Sequence, residues 1–344
     1  MGERAWIVGA CGIFVGAAAL FGVFVWATRS MLAQGERTAE QDGLRGPPQL
    51  GHTWRLVRGR HWQIVSADYE DPEATDGRER TRGACPVGMV DVKGEMKVEP
   101  SDNPYSGNTI DDLQRKTCTD WISRDYPERC RTFDREAWLK LSEELATRSM
   151  HFCIDRFEYP NRRGQYPMIY ASWCEAREEC QGQGKRLCTE DEWTFACEGE
   201  EAMPYPYGYE REPDKCPVDR SWRPYNQKAM VPRDGDAARY EMDRLWQGVA
   251  SGARPGCRSP FGVYDLTGNV DEWTVSARPG ERPSILKGGY WGPVRTRCRP
   301  STRSHDENHT FYQQGFRCCA DVGAKIRRAE ASDPMAAPLP QALP

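Results

Sequence analysis

Fourteen cysteines carry most of the potential chemistry in this chain of 344 residues. A thiolate can act as a nucleophile, bind a soft metal or form half of a disulfide, and spacing helps to separate these uses. Cys11 lies in an apolar segment, while the other thirteen run from Cys85 to Cys319 without a Cys-x-x-Cys pair. Zinc ribbons and fingers need such close pairs. The pattern therefore implies a disulfide framework formed in an oxidising compartment. Thirteen is odd, which implies at least one thiol that is free, modified or paired with another chain. His305 and His309 have H-x-x-x-H spacing, but Asp306 takes the place of the glutamate in HExxH and no helix cap precedes them. A solvated loop fits them better than a zinc helix. Asp155, Arg156 and Glu158 form a third charged group close in sequence.

The elements that must hold these residues centre on 172–199. Ser172 with Glu175, and Thr189 with Glu192, both fit S/T-x-x-E, where hydroxyl and carboxylate reciprocally satisfy backbone N–H groups at a helix start. Trp173, Ala176 and Cys180 share one face of the first helix, and Gly182 and Gly184 supply its stop. Trp193, Ala196 and Cys197 follow the second cap at i, i+3 and i+4. Two short helices are expected, joined by a tight link, with Cys180 and Cys197 on their inner faces.

Residues 1–29 are expected to form a membrane anchor, because Ala5–Thr28 is uncharged and apolar and long enough to cross a hydrocarbon core of ~30 Å. Flanking charges favour neither orientation, so the cysteines place the body on the extracytoplasmic side, periplasmic or extracellular. Residues 30–82 read as a tether, with one or two short strands allowed within 52–70. Residues of about 95–150 form an insertion with a helix from Asp134 to Thr147, stapled by Cys118 and Cys130. The Pro/Ala-rich tail, 324–344, is expected to be disordered. A net charge of −4 argues against a nucleic-acid partner. No internal repeat is visible.

GKRLCTEDEW (184–193) resembles the GKRLPTEAEW signature of the formylglycine-generating enzyme family, whose members carry sulfatase-modifying factor domains. Further landmarks resemble that family in its own order: CPVGMVDVKG (85–94), CIDRFEYPN (153–161), YPYG (205–208), SPFGVYDLTGNVDEWT (259–274), LKGGYW (286–291) and GFRC (315–318). They cover about 83–323, and ordered agreement is stronger than one motif. The resemblance implies an α+β, C-type-lectin-like fold with much irregular chain. It makes Asp155, Arg156 and Glu158 structural charges around a core strand and turn. Lys185 and Arg186 become braces of the helix link.

In catalytic members, two cysteines after the Lys-Gly-Gly bind copper(I) and activate oxygen to convert a client cysteine into formylglycine. Here the first of these positions falls at or beside Pro293, and Cys298 is the single cysteine between Lys287 and Arg303. One thiolate cannot form a two-sulfur copper(I) site, so copper is not expected and Cys298 is the one remaining catalytic candidate. Carried over from the family, the disulfides are Cys180–Cys318 and Cys197–Cys298. The resemblance also implies a structural Ca2+ ion on Asp265, Gly268, Val270 and Glu272, through two carboxylates and two carbonyl oxygens. The same residues fit a plain hairpin with Gly268-Asn269 at its turn.

The function expected from these residues is non-catalytic: a membrane-tethered domain binding an envelope protein or glycan in the groove where catalytic relatives hold a client peptide. One alternative is an oxidase with a rearranged thiol pair, for example Cys298 with Cys319. The other is a non-heme iron oxygenase, although the five histidines provide no separate metal-binding domain.

Overall fold

The computed structural model describes residues 52–65, 84–101 and 106–324, apart from 277 and 279. The expected membrane anchor, most of the tether and the end of the tail lie outside these residues. Among the described residues, no helix is long and apolar enough to cross a membrane. The fold is mixed α/β.

The chain opens with a hairpin, β1 (Trp54–Val57) and β2 (His61–Ile64), which realises the strands allowed in the tether. Next come β3 (Met89–Lys97), α1 (Ile110–Lys116), β4 (Cys118–Ser123), β5 (Arg129–Phe133) and α2 (Arg135–Ser142). Then follow β6 (Thr147–Asp155), α3 (Trp173–Gly182), β7 (Arg186–Leu187), α4 (Glu190–Glu198) and α5 (Asp236–Leu245). The chain closes with β8 (Asp271–Val275), β9 (Ser284–Lys287), β10 (Ser301–Thr302), β11 (Gln314–Phe316) and β12 (Cys318–Ala320). One four-stranded sheet has the order β3-β6-β12-β7, and another has β10-β9-β8-β11. In the second sheet β11 runs parallel to β8, whereas the other ladders are antiparallel.

The chain crosses from one four-stranded sheet to the other within one residue. Arg317 is the single step between β11 in one sheet and β12 in the other. Helix α4 packs beside this junction. Its Trp193, Phe195, Ala196 and Cys197 join Val92, Phe152, Ile154 and Leu266 in a buried cluster. A second cluster carries Trp54 and Trp62 of the hairpin against Trp246, Trp291 and Tyr312.

Both capping boxes form. Ser172 Oγ accepts from Glu175 N while Glu175 accepts from Ser172 N, and Thr189 and Glu192 do the same. Each satisfies two N–H groups that a helix start otherwise leaves open. Helix α3 stops at Gly182, and Gly184 takes φ +73°, where a side chain would be strained. Lys185 then reaches Asp155 at 2.6 Å, so it braces the link against β6.

The insertion differs from expectation. Its helix spans Arg135–Ser142, capped by Asp134, and does not reach Thr147. Thr147 instead starts β6, which pairs with β3 over nine residues, from Lys97↔Thr147 to Met89↔Asp155. Local helix propensity is overridden there by a continuous ladder. Both ends of the insertion are therefore extensions of core strands. Residues 322–324, which lead into the expected tail, are tied down: Val322 and Ala324 pack by Cys85 and Cys153, and Gly323 N donates to Ala84 O.

Candidate functional site

Cys298 is fully buried within the α4 cluster and bonded to Cys197. Cys180 of α3 is bonded to Cys318 of β12. Cys85–Cys153, Cys118–Cys130, Cys188–Cys319 and Cys216–Cys257 are bridged as well, and Cys174, which made the number of cysteines from Cys85 onward odd, is also disulfide-bonded. No described cysteine is free. Cys319 had no assigned role in sequence and could be imagined as a thiol partner for Cys298. That pairing is corrected here, because register places Cys319 opposite Arg186 on β7, beside Cys188, while Cys298 lies against α4. A copper centre needs two reduced sulfurs at one place. These residues do not fit it.

Asp265, Gly268, Val270 and Glu272 cluster where β8 begins, and the hairpin alternative is not what forms. Gly268 and Asn269 do take left-handed φ of +76° and +56°. Asn269, however, is fully buried and donates through Nδ2 to the Glu158 carboxylate at 2.9 Å. A Cβ on Gly268 would lie 2.5 Å from Pro217 O, so only glycine fits this close approach. Glu272 is more committed than a free calcium ligand: Oε2 accepts from Arg317 Nε at 2.6 Å and Trp193 Nε1 at 2.8 Å, and Oε1 from Arg317 Nη2 at 2.6 Å. Glu272 is thus the ion-pair partner of Arg317, with one lone pair left on Oε1.

Asp265 differs. Oδ2 accepts from Gly252 N at 2.6 Å, but the buried Oδ1 has no hydrogen-bond partner. Glu158, Asp265 and Glu272 bring three buried carboxylates around the Arg317 guanidinium. Burial pushes the Asp265 carboxyl up to about 7. Burial, reinforced by Asp265 and Glu272, pushes Glu158 well above the ordinary carboxylate range. An orphaned oxygen and surplus negative charge fit a cation at Asp265, with Glu272 able to offer one lone pair. Among the described residues, no group of three or more His, Cys, Asp or Glu side chains is arranged to hold a metal ion. Any calcium at Asp265 therefore depends on backbone carbonyls.

The other charged candidates are absorbed into the fold. Asp155 accepts from Lys185 Nζ, Asn161 Nδ2 and Cys318 N, tying β6 to the α3 link and to β12. Glu158 accepts from Ser251 Oγ at 2.7 Å. His305 and His309 lie in a loop with their rings stacked 3.8 Å apart. Burial and the neighbouring His309 push His305 below the ordinary histidine value.

Sequence reasoning placed a groove here only by resemblance and did not identify its walls. A cleft of about 740 Å3 opens between the insertion and the segment after the glycine pair. One wall carries Met96, Glu99, Thr109, Asp111 and Tyr126, and the other Glu190, Lys287 and 299–304. Arg299 donates to Glu198 at 2.5 and 2.7 Å and to Glu99 at 3.0 Å. Arg303 bridges Glu190 and Glu281. Burial pushes the Lys287 amine down to about 8, and its Nζ donates to Arg299 O at 2.7 Å. A cleft of this kind can hold a charged, hydrogen-bonding ligand but presents no thiolate pair. The run of arginines at 295, 297, 299 and 303 was the signal available in sequence.

Comparison with known proteins settles the family. The model of the "Sulfatase-modifying factor enzyme 1-like domain" matches residues 114–322, more than half of the chain. The chain belongs to that family. It is 31% identical over 168 residues to the "Inactive C-alpha-formylglycine-generating enzyme 2" of Bos taurus, covering 46% of this chain and 52% of that protein. It is 27% identical over 180 residues to the "Formylglycine-generating enzyme" of Mus musculus, covering 46% and 45%. The chain thus spans about half the length of the curated relatives it matches. The crystal structure of CarF aligns with a TM-score of 0.41 at 13% identity, covering 69% of this chain and 99% of that one.

Proposed function

We propose that this chain is a non-catalytic sulfatase-modifying-factor-type domain, tethered to a membrane by its amino-terminal segment. Its lectin-like body lies on the extracytoplasmic side and binds an envelope protein or glycan in the cleft beside β9 and β10. The observation carrying this reading is the Cys197–Cys298 disulfide, which leaves no reduced sulfur on the segment after the glycine pair. Similarity to a relative named as inactive supports the same direction. The test is incubation with copper(I) and a Cys-x-Pro-x-Arg peptide under oxygen. Neither stoichiometric copper nor an aldehyde-bearing product is expected by mass spectrometry. Formation of both would overturn the proposal.

We further propose a structural calcium ion at Asp265, held with the carbonyls of Gly268 and Val270 and the remaining lone pair of Glu272. Calcium is expected to raise the thermal midpoint of the wild-type protein relative to chelator, by about 2.7 kcal/mol of linkage at a hundredfold excess over Kd. Asp265→Asn, which tolerates the left-handed backbone at φ +59°, should lose that increment. Equal midpoints in calcium and chelator would refute the ion.

A further inference from the structure

The cleft has two lobes, the larger of about 740 Å3 and a smaller one of about 250 Å3. Both are lined by Tyr126, Arg295, Pro300, Ser301 and Thr302, so these residues mark the junction. The larger lobe carries eight Lys and Arg against five Asp and Glu. The smaller carries Arg295 against Asp271. Lys97 Nζ donates to Ser142 O at 2.8 Å, and Arg115, Arg148, Arg278, Lys287, Arg299 and Arg303 each have a carboxylate partner. Among the described residues, Arg295 has none. Its guanidinium lies over the Tyr126 ring, 5.2 Å from the centroid. Stacking uses the guanidinium face and leaves its N–H edge for a planar or tetrahedral oxyanion.

Tyr126 is 82% exposed, so the ring has a face that the arginine does not cover. It sits between β4 and β5, whose strands are joined by Cys118–Cys130. That staple ties together the two strands from which the Tyr126 loop projects. Thr109, Ser301, Thr302 and Ser304 add hydroxyls around the larger lobe, and Met96 and Val98 are its few aliphatic side chains. Peptide sites rely on buried aromatic or aliphatic anchors. This lining suits a ligand rich in hydroxyls with an anionic group and one apolar ring face.

We propose that the cleft binds an acidic saccharide, its carboxylate or sulfate on Arg295 and a sugar ring on the open face of Tyr126. This inference rests on the reading of the cleft as a ligand site and names the ligand class. The experiment is calorimetry on the full-length protein with a galacturonate hexamer, a sulfated dextran oligomer of similar length, neutral maltohexaose and hexaglutamate. At least one acidic saccharide should bind, and which one binds best identifies the anion. Arg295→Ala and Tyr126→Ala should each weaken binding by about tenfold or more, with unchanged thermal midpoints. Maltohexaose and hexaglutamate should bind at least about tenfold more weakly. No binding of either acidic saccharide, or equal binding by Arg295→Ala, overturns the proposal. Hexaglutamate binding in their place overturns the saccharide and leaves the binding-domain reading standing. Aldehyde formation on the Cys-x-Pro-x-Arg peptide would overturn both.

Discussion

Arg317→Met should lower the free energy of unfolding by about 3–5 kcal/mol, the usual cost of removing one partner from a buried ion pair. Arg317 is fully buried and is the residue through which the chain passes from one sheet to the other. Besides both oxygens of Glu272, its guanidinium donates to Asp155 O at 3.2 Å and Tyr264 O at 2.9 Å. Its loss would leave Glu158, Asp265 and Glu272 without the cation they surround. A second change separates charge from packing. Adding Glu272→Gln to Arg317→Met removes the stranded charge while keeping an acceptor for Trp193 Nε1, and should recover part of the loss. Urea unfolding of the single and double variants measures this. If Arg317→Met unfolds at the wild-type midpoint, the ion pair does not hold the sheets together.

Replacing Cys197 and Cys298 together by alanine should lower stability by about 4–5 kcal/mol in the chain-entropy model, because the bridge spans 101 residues. The Cys118–Cys130 bridge spans 12, and its removal should cost about 3 kcal/mol. Alanine is preferred to serine because a buried hydroxyl without a partner would add its own penalty. The comparison discriminates between readings of Cys298. A structural staple makes both single variants and the double variant unstable. A metal-binding thiol would leave stability nearly unchanged and remove copper uptake instead. Urea unfolding under non-reducing conditions provides the measurement.

Legibility in the sequence followed the range of the interaction. The two helix starts were readable because Ser172/Glu175 and Thr189/Glu192 are three residues apart and their chemistry is local. One or two strands within 52–70 were readable from partial alternation and tryptophans, but their pairing as the β1–β2 hairpin was not. The end of the helix in the insertion was not, because β6 is selected by pairing with β3 some fifty residues earlier in the chain. The Cys180–Cys318 and Cys197–Cys298 pairs came from the family pattern; thirteen scattered cysteines do not encode their own connectivity. Cys188–Cys319 was beyond reach, since it depends on the register of β7 against β12. The acidic loop at 265–272 was recognised as a cluster, but the donors that claim Glu272 come from positions 193 and 317. Cleft walls were the least legible part. Tyr126 and Arg295 are 169 positions apart, and only the fold stacks one on the other.

Peptide mapping of the unreduced protein addresses the absence of a copper-thiolate centre most directly. Proteolysis with mass spectrometry should recover the Cys298 peptide linked to the Cys197 peptide, and alkylation of Cys298 should require prior reduction. Recovery of Cys298 alkylated in the native protein, and shielded from alkylation by copper(I), would contradict this account.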